Sequence, residues 1–268
     1  MTKSNLPRRL GCVLAATEHG TMILNRFDYR HSDQGTYGVG HQLLNNAVYD
    51  PAEISNALQL LAARRTHFGD GVVAIDCGAN IGAHTLEWAR SMTGWGSVVA
   101  IEAQERIFYA LAGNIALNNC LNARAILAAV GAADGTMRIP TPDYLAPGSF
   151  GSLELKQADG NEFIGQTIDY TEDALTEIRT LTIDSFGLTR LDLIKIDVEG
   201  MELEVLAGAK QTIARYLPII IAERLKTNHE VLVATLAAYG YRVVSGPMNV
   251  FAIHPTDPTM GQVVVMRP

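Results

Sequence analysis

The chain has little charge, few cysteines and no long apolar run. Charged residues make up 18% of its 268 positions, the formal net charge is −7, and no run of Lys or Arg interrupts that balance. This argues against the basic face that nucleic acid requires, so no nucleic-acid partner is expected. Three cysteines, Cys12, Cys77 and Cys120, are odd in number and widely separated. They match neither a disulfide framework nor metal-ligand spacing, which suits a reducing compartment. No His, Asp or Glu cluster has metal-ligand spacing either, so no structural metal is expected, with a loosely held divalent ion on Asp197 and Glu199 left open. Cys77 reads as a small residue filling space beside a tight loop. No stretch approaches the roughly 18 apolar residues needed to cross a bilayer. Leu10 to Ala16, preceded by Lys3, Arg8 and Arg9, is at the short limit of a signal-peptide core and runs at once into Glu18 and His19. A cytoplasmic protein is expected, its oligomeric state left open. What the chain does have is 48% hydrophobic residues, enough for a sizeable core.

Residues 1–70 read as an N-terminal extension. Gly35, Gly38 and Gly40 surround Tyr37 and His41 in a turn-rich segment. Asp50-Pro51 then opens a helix, with Asp50 as its cap, Pro51 in its first turn and an apolar face of Ile54, Leu58 and Leu61, ended by Gly69-Asp70-Gly71. Residues 71–268 read as one α/β domain. Strands are predicted at Val72–Asp76, Ser97–Glu102, Ala123–Val130, Asp192–Asp197 and Pro218–Glu223, and helices at Ile81–Ser91, Glu105–Asn118, Glu202–Ala214 and Asn228–Tyr239. Apolar strands alternating with helices predict a doubly wound, mainly parallel sheet covered on both faces. An antiparallel pair at Arg242–Ser245 and Asn249–Ile253 completes it. The alternation breaks at about 134–184, where Thr136–Ile139 reads as a short strand and Pro140, Pro142 and Pro147 forbid a central one. A long irregular insertion is usually functional or mobile; here it reads as a substrate-side excursion or a surface loop.

Ligands of such sheets bind at the carboxyl ends of the strands. The first strand runs into Asp76-Cys77-Gly78-Ala79-Asn80-Ile81-Gly82. Gly78 permits a sharp turn and close approach, Gly82 permits the helix start to pack on the strand, and Asn80 tolerates left-handed geometry. Asp76 would repel a pyrophosphate but attract an ammonium. S-adenosylmethionine carries an ammonium and a sulfonium and no phosphate. Glu102, ending the second strand, can accept both hydroxyls of a ribose. Taken singly, Asp76 could merely stabilise the loop and Glu102 could be solvated.

These runs, with Val99-Ala100-Ile101-Glu102, Asn114-Ile115-Ala116-Leu117-Asn118 and Leu193-Ile194-Lys195-Ile196-Asp197-Val198-Glu199-Gly200-Met201-Glu202, resemble the FkbM family of methyltransferases over about Val72 to Tyr241. Pro218–Glu223 and Tyr239-Gly240-Tyr241 extend the likeness. The resemblance implies a Rossmann-like class I fold with a seven-stranded sheet, S-adenosylmethionine as cofactor, and transfer of a methyl group to a hydroxyl of a small-molecule, sugar or lipid-like acceptor. It implies that Asp76, Gly78, Ala79, Asn80 and Gly82 hold the methionine portion and Glu102 the ribose, with Ala103, where the family often has proline, beside it. Val130 would border the adenine. Thr85 either reaches the cofactor carboxylate at the helix start or is an ordinary helical threonine.

Lys195 and Asp197 share one strand face by period two, so Asp197 or Asp76 is the expected partner of the lysine. Asp197 also belongs to the expected cofactor set, at the strand end beside the sulfonium. Removing the acceptor's proton needs a base, and Asp197, Glu199 and Glu223 are the candidates, with His41 a further one from the N-terminal segment. Tyr37 and His41 are the expected substrate-side residues. Glu202 reads as a first-turn acid with no catalytic part, and His84 as packing or capping. Two other functions fit less well: a non-catalytic cofactor-binding module, and a nicotinamide-dependent oxidoreductase, which Asp76 and the missing middle glycine oppose.

Overall fold

A computed structural model describes residues 9–33 and 35–261; Lys3 and Arg8 lie outside them. The N-terminal part forms two hairpins, β1 (Cys12–Thr17) with β2 (Gly20–Asn25) and β3 (Arg30–Ser32) with β4 (Gly35–Tyr37), followed by α1 (Val39–Asn46) and α2 (Pro51–Phe68). The apolar run at Leu10 to Ala16 is thus mostly strand. Asp50 precedes α2 as expected but has φ 40° and no capping hydrogen bond. The elements that follow are β5 (Val72–Cys77), α3 (Ala83–Ser91), β6 (Gly96–Glu102), α4 (Glu105–Leu117), β7 (Ala123–Leu127) and β8 (Ala129–Val130). Next come β9 (Gly135–Pro140), β10 (Leu175–Leu181), β11 (Leu193–Ile196), α5 (Glu202–Gly208), α6 (Lys210–Tyr216), β12 (Ile219–Glu223), α7 (His229–Ala238), β13 (Arg242–Ser245) and β14 (Asn249–Ile253).

The doubly wound seven-stranded sheet is present, in the order β13-β14-β12-β11-β5-β6-β7. β7, β6, β5, β11 and β12 are parallel, and β14 runs antiparallel to both its neighbours. The strand order reverses between β5 and β11, which opens a crevice at their carboxyl ends. Alternation along each strand sorts its side chains between two cores. Leu193, Ile219 and Ile221 join the core with Leu61 of α2, Leu86 of α3 and Leu111 of α4. Ile194, Ile196, Ile220 and Ala222 join the core with Val205 of α5 and Leu232 of α7. Met22 and Leu24 of the N-terminal hairpin belong to the first core. α2 is pinned to the far end of the sheet by Arg64, whose buried guanidinium lies 3.0 Å from Asp192 and 2.6 Å from Asp257.

Three boundaries differ from the sequence reading. The strand expected over Ala123–Val130 breaks at Ala128: β7 stays in the main sheet while β8 pairs with β10. In the resulting three-stranded sheet β9 is an edge, where Pro140 is tolerated. The helix expected over Glu202–Ala214 breaks at Ala209 into α5 and α6. The helix after the glycine loop begins at Ala83 because Gly82, with φ 93°, is its cap.

Candidate active site

Period two decides which charged side chains meet. Asp76, Glu102, Lys195, Asp197 and Glu223 share parity with residues of the first core, so all five sit on one face of the sheet at its carboxyl edge. All five line one cleft of about 270 Å³.

Its first end is shaped by the loop after β5. Gly78 has φ 76°, and a Cβ there would lie 1.7 Å from the Asp197 carbonyl oxygen, so the loop crosses the end of β11 at a distance only glycine permits. Asn80 takes the left-handed conformation expected of it, at φ 49°. Gly82 makes room for a different neighbour than expected: its Cβ would meet Leu111 of α4 at 2.8 Å, not the strand. Glu102 is 6% exposed. Its Oε2 accepts from Asn80 N–H at 3.0 Å and its Oε1 from Gln104 N–H at 2.7 Å. Burial pushes it up to about 7 against these backbone donors. Gln104 is held by Phe150, whose carbonyl accepts from Nε2, and by the Tyr144 hydroxyl, which donates to Oε1. Asp76 is 1% exposed. The Thr85 hydroxyl donates to its Oδ2 at 2.7 Å, while Oδ1 is buried with no hydrogen-bond partner among the described residues.

The second end holds three acids and two lysines. Lys195 Nζ donates to Asp197 Oδ2 at 2.7 Å. Although burial opposes it, the fields of Asp197, Asp76 and Glu53 hold this ammonium well above the usual lysine range. Lys226 lies 2.5 Å from Glu199 Oε2. Oxygens of Asp197, Glu199 and Glu223 fall within 4.8 Å of one another, a spacing that could hold a divalent cation. Asp197 and Glu199 are two residues apart in the sequence, and Glu223 joins them because β11, its following loop and β12 converge in the fold. Among the described residues Glu223 has no lysine of its own, and its Oε2 is buried without a hydrogen-bond partner. Burial, then the charges of Asp197 and Glu202, push it up to about 8. Burial and Asp197 also push Glu199 well up.

A scan of protein families matches the Methyltransferase FkbM domain to residues 76–243. The chain belongs to the FkbM methyltransferase family. Two curated relatives of this FkbM chain are fungal. Methyltransferase 1 of Beauveria bassiana is 27% identical over 150 residues, covering 53% of this chain and 59% of its own. Methyltransferase sdnD of Sordaria araneosa is 28% identical over 156 residues, covering 51% and 60%. The chain thus matches about three fifths of the length of these relatives. A solved FkbM methyltransferase from Methylobacillus flagellatus is 18% identical, with a TM-score of 0.46 over 68% of this chain and 43% of that one.

The fold brings Asp76, Gly78, Ala79, Asn80, Glu102, Ala103, Val130, Asp197, Glu199, Glu223 and Tyr37 to the cleft. Thr85 is fully buried behind Asp76, and its hydroxyl is engaged there instead of facing the cleft. His41 is not among the residues that line the cleft. It bonds Asn45 on the outer side of α1, while Gln42 and Val39, on the other face of that helix, line the cleft. Glu202 is wholly buried, its Oε1 accepting from Val198 and Gly200 N–H and so bracing the loop that carries Glu199. His84 packs edge-on against Trp88 and Tyr49 and lies 3.2 Å from Glu53, yet also borders the cleft.

Sequence reasoning missed Tyr49, Gln104, Lys226 and Asp28. Tyr49 lines the cleft and its N–H donates to His19 Nε2 at 3.0 Å. Asp28, 2% exposed, accepts from Gly40 N–H and Phe150 N–H, tying the N-terminal segment to the insertion. Burial raises it to about 6. Of these, Lys226 alone left a signal: it follows Glu223 by three residues at the carboxyl edge of a predicted strand.

Proposed function

We propose that the chain is an S-adenosylmethionine-dependent methyltransferase acting on a hydroxyl oxygen of a small-molecule, sugar or lipid-like acceptor, in the cytoplasm. The observation that carries this is Asp76 Oδ1, a buried carboxylate oxygen with no hydrogen-bond partner among the described residues, in a cleft shared with Glu102. An unsatisfied buried anion is costly, and an ammonium is what would satisfy it. A pyrophosphate in its place would add repulsion, which disfavours a nicotinamide cofactor. The residues therefore fit S-adenosylmethionine: Asp76 for the ammonium, Glu102 for the ribose hydroxyls, and the β8 residues Ala129 and Val130 along the base. When bound, that cofactor supplies a methyl group activated by a sulfonium.

The protein's own part is alignment and proton removal. Orienting two reactants is worth on the order of 7–11 kcal/mol. Among the three acids, Asp197 is paired with Lys195 and Glu199 with Lys226, whereas Glu223 forms no ion pair among the described residues. Burial, with the charges of Asp197 and Glu202, raises its affinity for a proton, and we assign this acid at the cleft as the base that takes the acceptor's hydroxyl proton. The test is calorimetry with S-adenosylhomocysteine, followed by transfer of a labelled methyl group to a pooled library of hydroxylated acceptors. Binding and labelling are expected in the wild type. A chain that binds nicotinamide dinucleotide and not the nucleoside would overturn the proposal.

A further inference from the structure

We propose that Lys226 and Glu162 form an ionic latch that holds the insertion shut over the acceptor end of the cleft and, with the same ammonium, fixes Glu199. The inference rests on that cleft being the transfer site. Lys226 lies in the loop after β12 and makes three contacts at once. Its Nζ is 2.5 Å from Glu199 Oε2 and 3.1 Å from Glu162 Oε2, and it donates to the Ser152 carbonyl at 2.6 Å. The other oxygen of Glu162 lies 2.7 Å from Arg30 Nη2, on β3 of the N-terminal extension. Arg30 also donates to the Phe163 carbonyl, and its guanidinium stands 5.8 Å from the centre of the Tyr37 ring, which borders the cleft. One carboxylate therefore ties together three segments that are remote in sequence.

The insertion has two layers. An inner arm at 148–155 supplies Ser149, Ser152 and Leu153 to the cleft wall. An outer arm at 161–166 lies behind it, where Ser149 N–H donates to the Ile164 carbonyl at 2.7 Å. Glu162, on the outer arm, holds the two layers against the body of the domain. The side chains of Glu162 and Lys226 are 35% and 13% exposed. Such a pair can exchange its contacts for water, as a gate that must admit ligands requires and an apolar lock does not allow. Lys226 is thus a positioning residue: it touches the acid at the transfer edge and the roof above it.

Amide hydrogen exchange of the full chain tests the latch without a ligand, and stopped-flow release of S-adenosylhomocysteine tests its consequence. In Glu162→Gln and Lys226→Met, exchange over 148–166 should quicken about tenfold, while β5 and β12 keep wild-type protection. Release of S-adenosylhomocysteine should quicken by about the same factor. Lys226→Arg should restore both. Added salt should loosen 148–166 in the wild type and not in Glu162→Gln, because the ion pair is what salt screens. Unchanged exchange over 148–166 in both charge-removing variants overturns the proposal. So does loosening spread equally through β5 and β12, or an arginine that fails to rescue. If the wild type does not bind S-adenosylhomocysteine, the transfer reading fails, and the exchange result still decides the latch.

Discussion

The two ends of the cleft are built by different means. At the end holding Asp76 and Glu102, the shaping contacts run mainly within residues 76–104 and are mostly backbone: Gly78 and Ala79 N–H to the Ile101 carbonyl, Asn80 and Gln104 N–H to Glu102. At the other end, Arg30, Tyr49, Glu162, Glu199, Glu223 and Lys226 come from remote segments and meet largely through side chains. Backbone geometry fixed by turns leaves little room for variation, which suits a ligand that is always the same. Long charged side chains carried on loops can be exchanged without disturbing the sheet. If this division is real, damage at one end should leave the other working.

The sharpest test is Glu223→Gln. It keeps the shape of the base but removes its affinity for a proton, so kcat should fall by about 10²–10⁴-fold. Calorimetry should find affinity for S-adenosylhomocysteine nearly unchanged. A matching loss of affinity would mean that the two ends are one unit. The converse is Asp76→Asn, which keeps the Thr85 contact but not the charge. Affinity for S-adenosylhomocysteine should drop about 10–100-fold, as expected for a hydrogen bond to a charged group, with Tm close to wild type. Gly78→Ala should act on folding instead. Its methyl group would strike the Asp197 carbonyl and the residue would be held at positive φ, destabilising the chain by about 2–4 kcal/mol, read as a lower Tm in thermal melts. A variant as stable as wild type would mean that the crossing of the loop over β11 is looser than described.

The same division governs what could be read from the sequence. The strand, loop and helix from Val72 to Ser91 were legible because their signals are local: apolar strand, acid, glycine turn, helical period. The charged face was legible in part, since Lys195 and Asp197 are two residues apart. Glu53 and His84, which border it from α2 and α3, left no local signal. His41 offered a base by residue type alone, whereas the helical period of α1 turns positions 39, 42 and 43 inward. β10 went unseen because Thr176, Glu177 and Arg179 make it look like a polar loop; it pairs outside the main core. The break between α5 and α6 follows a glycine, Gly208, packed so closely on the Gly131 carbonyl that a Cβ would lie 2.0 Å from it. No helical or strand period encodes such a contact.

The smallest expected effect separates the ends by pH. Folding raises Glu102 to about 7 and Glu223 to about 8, both above the ordinary carboxylate range of the unfolded chain. The folded state therefore binds these protons more tightly than the unfolded state does. Their contribution to stability is complete below about pH 4 and is lost as pH rises through about 7 at one end and about 8 at the other. Tm of the ligand-free chain should fall across that window. Glu102→Gln should flatten the fall near pH 7, and Glu223→Gln the fall near pH 8. Activity should move the opposite way, since an ionised Glu223 is needed to take a proton: kcat/KM should rise with pH through about 8. The limb for kcat should lie lower, because the positive charge of the bound cofactor favours the ionised carboxylate. Should both substitutions flatten the same part of the melting curve, the two acids titrate as one coupled group, and the independence of the two ends would have to be given up.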